Sequence, residues 1–193
     1  MSKLIVSNLI SLDGYASGPG GDVMVLPFDT TFSDHNLELM QAADTVVSGA
    51  TTYRGFVSYW PPVGDDPAQP EVERAISRRH RELEHLVVSD SLSADETGPW
   101  RDKTRVVRRD EARDAIAQAK NGEGGDLVAF GSMTTWNNLL AEGLVDELHM
   151  MVGAGVLVEG VPAFSVRPPG PMRLAGARQL GDSNIALLLY SLG

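Results

Sequence analysis

Short apolar runs rich in β-branched residues alternate along the chain with stretches whose apolar positions recur every three or four residues, the pattern of strands alternating with helices. Leu4 to Ile10 reads as the first strand, closed by the turn Ser11-Leu12-Asp13-Gly14, and a polar, glycine-rich loop runs from Ser17 to Asp22. Ser33 offers an N-cap to a helix reaching about Ala43, with Leu37 and Met40 on one face. Thr45-Val46-Val47-Ser48 predicts a second strand ended by Gly49, and Thr51 to about Val57 a short helix entered directly from it. Tyr59 to Gln69, with Pro61, Pro62, Gly64 and Pro67, predicts a surface loop. Pro70 suits the first turn of a helix that carries Val72, Ala75 and Ile76 at core spacing.

Leu86 to Ser89 and Thr104 to Val107 are the third and fourth strands. Asp110 caps a helix with the inward stripe Ala112, Ala115, Ile116 and Ala119, and Asn121-Gly122-Glu123-Gly124-Gly125 stops it. Asp126 to Phe130 is the fifth strand; Gly131-Ser132 then leads into a helix that turns Met133, Trp136, Leu139 and Leu140 inward. Leu144 to Val152 is the sixth, and Met172 to Leu180 with Ile185 to Leu192 form a hairpin across Gly181-Asp182-Ser183-Asn184. The order predicts one α/β domain with a mostly parallel central sheet and a C-terminal antiparallel hairpin.

Composition narrows the function. A length of 193 residues suits a single domain, and 42% hydrophobic with 22% charged residues suits a globule with a real core. The apolar start is interrupted by Ser7, Asn8, Ser11 and Asp13, so no targeting segment is expected, and no run approaches the roughly 18 apolar residues of a membrane helix. A soluble, cytoplasmic protein without a membrane partner is the expectation. The absence of cysteine excludes disulfides, thiol nucleophiles and cysteine-ligated zinc. A net charge of −10 argues against nucleic acid, which needs clustered Lys and Arg, but leaves room for an anionic cofactor held by local dipoles.

The candidate chemistry sits at two strand–glycine–helix junctions, Ser48-Gly49-Ala50-Thr51-Thr52-Tyr53 and Phe130-Gly131-Ser132-Met133-Thr134. Glycine lets backbone approach a ligand, and the free N–H groups of a helix start attract phosphate oxygens. Two such junctions at the carboxyl ends of parallel strands suit a dinucleotide; either alone is better explained as ordinary capping. Neither is a Walker A loop or carries the glycine triplet of the dinucleotide fingerprint. His35, His80, His85 and His149 show no metal-ligand spacing, so no metal is expected. Asp146-Glu147 reads as structural at a sheet end, and His149 as a packed or edge residue.

In this order, the opening strand with Ser11-Leu12-Asp13-Gly14, the segment Ala43 to Tyr53, the strand Leu86 to Ser89, and Phe130-Gly131-Ser132 followed by Gly143 to Leu148 form a set of landmarks. The set resembles the reductase (C-terminal) domain of bifunctional riboflavin-biosynthesis deaminase–reductases and their stand-alone relatives. The resemblance implies a three-layer, dihydrofolate-reductase-like fold, an NADPH-dependent reductase of a small heterocyclic substrate, and a homodimer formed through the C-terminal strands. The named reaction it favours is 5-amino-6-(5-phosphoribosylamino)uracil reduction; the alternative is a non-catalytic relative that binds a ligand. Carried over, Gly49, Thr51, Thr52 and Tyr53 meet the cofactor's phosphates, Ser89 sits near the adenosine, and Gly131, Ser132, Met133 and Thr134 embrace the pyrophosphate. Asp13 is the candidate catalytic carboxylate in the substrate pocket, with a turn aspartate bonding its own backbone as the equal alternative. Relatives often place Arg where this chain has Ala50; Arg54, one turn later, is the substitute, while Asp90 opposes a 2′-phosphate, so NADH stands beside NADPH. The deaminase half is expected to be absent, since a chain without cysteine cannot build its zinc site.

Overall fold

The computed structural model describes residues 2–122 and 124–193; Glu123, placed in the helix stop above, lies outside the described residues. The central strands are β1 (Leu4–Ile10), β3 (Ala43–Gly49), β4 (Glu84–Val88), β5 (Thr104–Val107), β6 (Asp126–Phe130) and β7 (Glu147–Val152), with β2 (Tyr15–Ser17) between the first two in the chain. Two further strands, β9 (Met172–Gln179) and β10 (Ala186–Leu192), close the chain after the two-residue β8 (Val161–Pro162). The main sheet runs β5-β4-β3-β6-β1-β7-β10-β9; its first six strands are parallel, and β10 and β9 add antiparallel. A second small sheet pairs β2 with β8. Every residue of β1 is buried, as a strand covered on both faces demands.

Helices α1 (Thr30–Ala42), α2 (Ala50–Val63) and α3 (Glu71–Glu82) cover one face, where Ile5, Val46 and Val128 meet Leu39, Met40 and Ile76. Helices α4 (Ala112–Lys120) and α5 (Met133–Ala141) cover the other, where Val6, Val47 and Ala129 meet Ile116, Trp136 and Leu139. The result is the three-layer arrangement expected. Among the described residues, no helix is long and apolar enough to cross a membrane.

Four local expectations need correction. The first helix begins at Thr30, not Ser33, because Asp29 accepts from the N–H groups of Thr31 (3.0 Å) and Phe32 (3.2 Å) and is the cap. Helix α2 continues through Pro61 and Pro62 into the segment expected to be a loop. Proline costs a helix its i−4 bond, but α3 shores up this turn: Ser77 Oγ donates to the Trp60 carbonyl and Arg81 to that of Pro61, each at 2.7 Å. Asp110 lies inside a 3₁₀ turn, Arg109–Glu111, that precedes α4 and whose cap is Arg108. Strand β7 starts at Glu147 because Asp146 is held elsewhere, its carboxylate accepting the Leu4 N–H at 2.7 Å and pairing with Lys120 at 2.6 Å.

Candidate functional site

Strands β3 and β6 are parallel neighbours, so the two glycine junctions leave the sheet side by side. They touch: the Gly49 N–H donates to Ser132 Oγ at 2.8 Å. A Cβ on Gly49 would lie 2.5 Å from Thr135 Oγ1, closer than side chains pack, so the approach requires glycine. On the other side, Gly131 (φ 60°) and Ser132 (φ 53°) are both left-handed. For serine this conformation costs about 1–2 kcal/mol, a strain of the kind that collects at ligand sites. Neither α2 nor α5 has a side-chain cap, in contrast to α1. The first-turn N–H groups of Ala50, Thr51 and Thr52, and of Met133, Thr134 and Thr135, therefore have no intrahelical acceptor.

Both helix starts open on one cleft of about 1440 Å³. Gly49, Ala50, Thr51, Thr52, Arg54, Ser89, Gly131, Ser132, Met133 and Thr134 all line it. At its β4–β5 end, Ser89 Oγ accepts from the N–H groups of Ser91 and Leu92 at 3.1 and 3.0 Å. Arg54 is already engaged there, with Nη2 2.7 Å from Glu96 Oε1. Arg109 also lines this end, and Asp90 does not: its carboxylate accepts the Arg109 N–H at 3.1 Å and faces that side chain at 3.5 Å.

Two expected residues are elsewhere. Tyr53 is fully buried under α2, its hydroxyl bonded to the Thr97 carbonyl (3.0 Å) and Thr104 Oγ1 (2.7 Å), because position four of the helix faces the sheet and not the cleft. Asp13 does not line the cleft either. Its carboxylate accepts from the N–H groups of Leu157 (3.1 Å) and Val158 (2.8 Å), pinning the segment before β8. The Ser11 hydroxyl, then these amides, lower its pKa to about 2, so it carries no proton to give near neutrality. Its carboxylate ties the turn to this distant segment, a role that neither the catalytic reading nor a turn aspartate bonding its own backbone describes.

The opposite end of the cleft is made by residues the sequence did not single out. Strand β6 stops at Phe130, opposite Ser7, while β1 runs on to Ile10 paired only with β7, so Asn8 and Leu9 present a free strand edge to the cleft. Asn8 is 4% exposed and its side-chain Nδ2 has no partner. Ser7 Oγ donates to Asn36 Oδ1 at 2.8 Å, and Ser33 Oγ donates to Glu73, which α3 brings against α1. Phe32, Phe56, Tyr59, Trp60 and Phe130 supply aromatic walls. The one trace of this end in the sequence is the polar pair Ser7-Asn8 inside an otherwise apolar strand.

Among known families, the one described as the RibD C-terminal domain matches residues 2–185. The chain belongs to the RibD C-terminal domain family. No curated protein matches it. Among solved structures, a putative riboflavin biosynthesis protein from Shewanella sp. PV-4 is 22% identical over 99% of both chains, with a TM-score of 0.69. A deaminase/5-amino-6-(5-phosphoribosylamino)uracil reductase from Thermotoga maritima is 13% identical (TM-score 0.66); this chain is matched throughout and spans 57% of that longer one. Dihydrofolate reductase from Enterococcus faecalis, complexed with NADP(H), is 14% identical over 99% of this chain and 96% of its own (TM-score 0.60). At such identities these likenesses establish the dihydrofolate-reductase-like fold of this RibD C-terminal domain, and the fold alone.

Proposed function

We propose that this RibD C-terminal domain is an NAD(P)H-dependent reductase of a small, pyrimidine-type heterocycle. The observation that carries the reading is the convergence of two uncapped helix starts, bridged by Gly49 N–H and Ser132 Oγ, on a cleft that continues to a free strand edge. The donor set fits a dinucleotide. Amides and hydroxyls of Thr51, Thr52, Ser132 and Thr134 suit a diphosphate at the point where two helix dipoles are positive. Ser89, Arg54 and Arg109 flank the adenosine end, and the open backbone edge of β1 suits a carboxamide-bearing ring at the other.

When bound, the reduced nicotinamide supplies a hydride. The protein's own contribution is to align the two rings, to hold the substrate's polar edge through Asn8, Asn36 and Glu73, and to keep water off the reacting face with Phe32, Trp60 and Phe130. NADPH is the proposed cofactor: Asp90 is turned toward Arg109 and not into the cleft, which removes the repulsion its position in the sequence implies. Ala50 supplies no cation, so NADH binds with a smaller penalty than an arginine there would impose.

The test is a titration of the tryptophan fluorescence, with Trp60 in the cleft wall as reporter, by NADPH and by NADH. Saturable quenching by NADPH in the micromolar range, with weaker quenching by NADH, is expected; no response to either at about millimolar concentration ends the reading. A homodimer through β9 and β10 is part of the proposal, supported by an edge strand exposed along almost its whole length beside the half-buried Leu188, Leu189 and Tyr190. Light scattering at the monomer mass would refute it.

A further inference from the structure

We infer that the β1 end of the cleft accepts a planar nitrogen heterocycle that carries no phosphate, an inference that rests on the reductase reading and departs from the phosphorylated uracil named for the Thermotoga relative. Three observations carry it.

The first is charge. Among the described residues, the only lysine or arginine side chains lining the cleft are Arg54 and Arg109, and each has a carboxylate partner, Glu96 and Asp90. Both belong to the β4–β5 end. Arg109 follows β5, four strand spacings from β1, about 19 Å at the usual 4.8 Å each, and Arg54, on α2 after β3, is held by Glu96 through Nε and Nη2 at 2.9 and 2.7 Å, so neither is free to serve a group on a ring lying against β1. The charged side chains lining the β1 end are Asp29 and Glu73, both acidic.

The second is the state of the nearest helix start. The beginning of α1 opens on this end, but Asp29 already takes the amides of Thr31 and Phe32, so the donors that would otherwise hold a phosphate are spent on the chain itself. The mouth beyond it is formed by Val23, Met24, Leu26 and Phe28, with Met24 78% exposed. An apolar rim offers a phosphate dianion nothing in exchange for its water.

The third is what the end does offer. Asn8 Nδ2, buried and unpartnered, is a donor waiting for a ring carbonyl or nitrogen. Glu73, held by Ser33, is an acceptor for a ring N–H, and Phe32, Phe56 and Phe130 can sandwich a flat ring. A donor, an acceptor and aromatic walls recognise an amide-edged ring, and a neighbouring carboxylate disfavours the same ring once it carries a dianion.

The test titrates the full chain calorimetrically with 5-amino-6-(5-phosphoribosylamino)uracil and with the same compound after phosphatase treatment, with and without NADP⁺. The dephosphorylated ligand is expected to bind about tenfold or more tightly than its parent. Glu73→Gln should narrow that difference and Glu73→Lys reverse it, while NADP⁺ affinity and the melting temperature of each variant serve as controls for folding. Equal or tighter binding of the phosphorylated compound to the natural protein overturns the inference, as does failure of both to bind. The NADP⁺ titration separates the two claims: loss of cofactor binding with the ligand preference intact defeats the reductase reading, and a reversed preference with cofactor bound defeats only this one.

Discussion

Acidifying the protein from about pH 7 to about pH 5 tests the packing on both sides of α1 and α3, because all four histidines of the chain are buried and all four are held below their ordinary pKa. His35 and His149 face each other, Nε2 to Nδ1, at 3.0 Å, so one ring must accept while the other donates. Burial, then the facing His149, pushes His35 down to about 4 against the opposing pull of Glu38. His149 is lowered by burial even though Glu147 stands 3.2 Å away. His80 lies among Trp60, Trp100, Phe56 and His85; burial, then the His85 charge, drives it well below its ordinary value. His85 is lowered by burial despite its bond to the His80 carbonyl.

The sign follows directly. Below about pH 6.5 the unfolded chain binds protons on these rings that the folded chain does not, so stability is complete above that pH and falls as the pH drops toward the folded values. Each such histidine costs about 1.4 kcal/mol per pH unit while the two states differ by a full proton. His35 alone then removes about 2 kcal/mol between pH 7 and pH 5, a sizeable share of an ordinary domain's 5–15 kcal/mol, and His80 adds to the loss in the same direction. His85 and His149 act in the same direction. The carboxylates whose pKa is lowered, such as Asp13, lose their contribution only nearer their own titration, so the two windows separate. Urea melts at about pH 7, 6 and 5 measure the effect, and a parallel series with His35→Gln should show a shallower slope. An unfolding free energy that is flat or rising on acidification to pH 5 would refute the reasoning.

Further outcomes follow from the same contacts. Gly49→Ala places a methyl group against Thr135 Oγ1 and forces the two junctions apart; NADPH affinity measured by fluorescence should fall about tenfold or more, with a small loss of melting temperature. Asp13→Asn loosens the segment at Leu157 and Val158 but touches no reacting group, so turnover should stay within about threefold and its pH profile should not move; an inactive variant would return Asp13 to the site. Raising NaCl from about 20 to about 200 mM should leave NADPH affinity flat or tighten it, since salt screens the repulsion from an acidic chain and not the short-range amide bonds. A loss of affinity with salt would mean that unpaired cations, and not helix starts, hold the phosphates.

The sheet was legible because its signals are local. Thr104 to Val107 and Asp126 to Phe130 coincide with β5 and β6 to the residue, and the hairpin at Gly181 to Asn184 gives the antiparallel edge. What escaped depends on partners far along the chain. Pro61 and Pro62 read as a break until Ser77 and Arg81 are brought against the last turn of α2. Strand β2 is too short to show a period and exists because Val161 and Pro162 lie beside it.

The site divides along the same line. The half of it proposed for the phosphates is written as glycine followed by hydroxyl residues, because close backbone approach and a free helix start are properties of consecutive residues. Its ring half is assembled from β1, α1, α3 and the end of β6, and no stretch of sequence contains it. Glu73 illustrates the difference: on α3 it is one charge in a helix dense with Glu and Arg, and only the packing of α3 on α1 pairs it with Ser33 inside the cleft, leaving its neighbours Glu71 and Arg74 to pair outside. Asp13 is the converse, a carboxylate that its turn makes conspicuous and that the fold commits to the distant backbone of Leu157 and Val158. In this chain the residues proposed to hold a cofactor follow from local backbone rules, whereas those proposed to choose a substrate follow from which helices meet, and it is the second set that packing alone can reassign from one relative to the next.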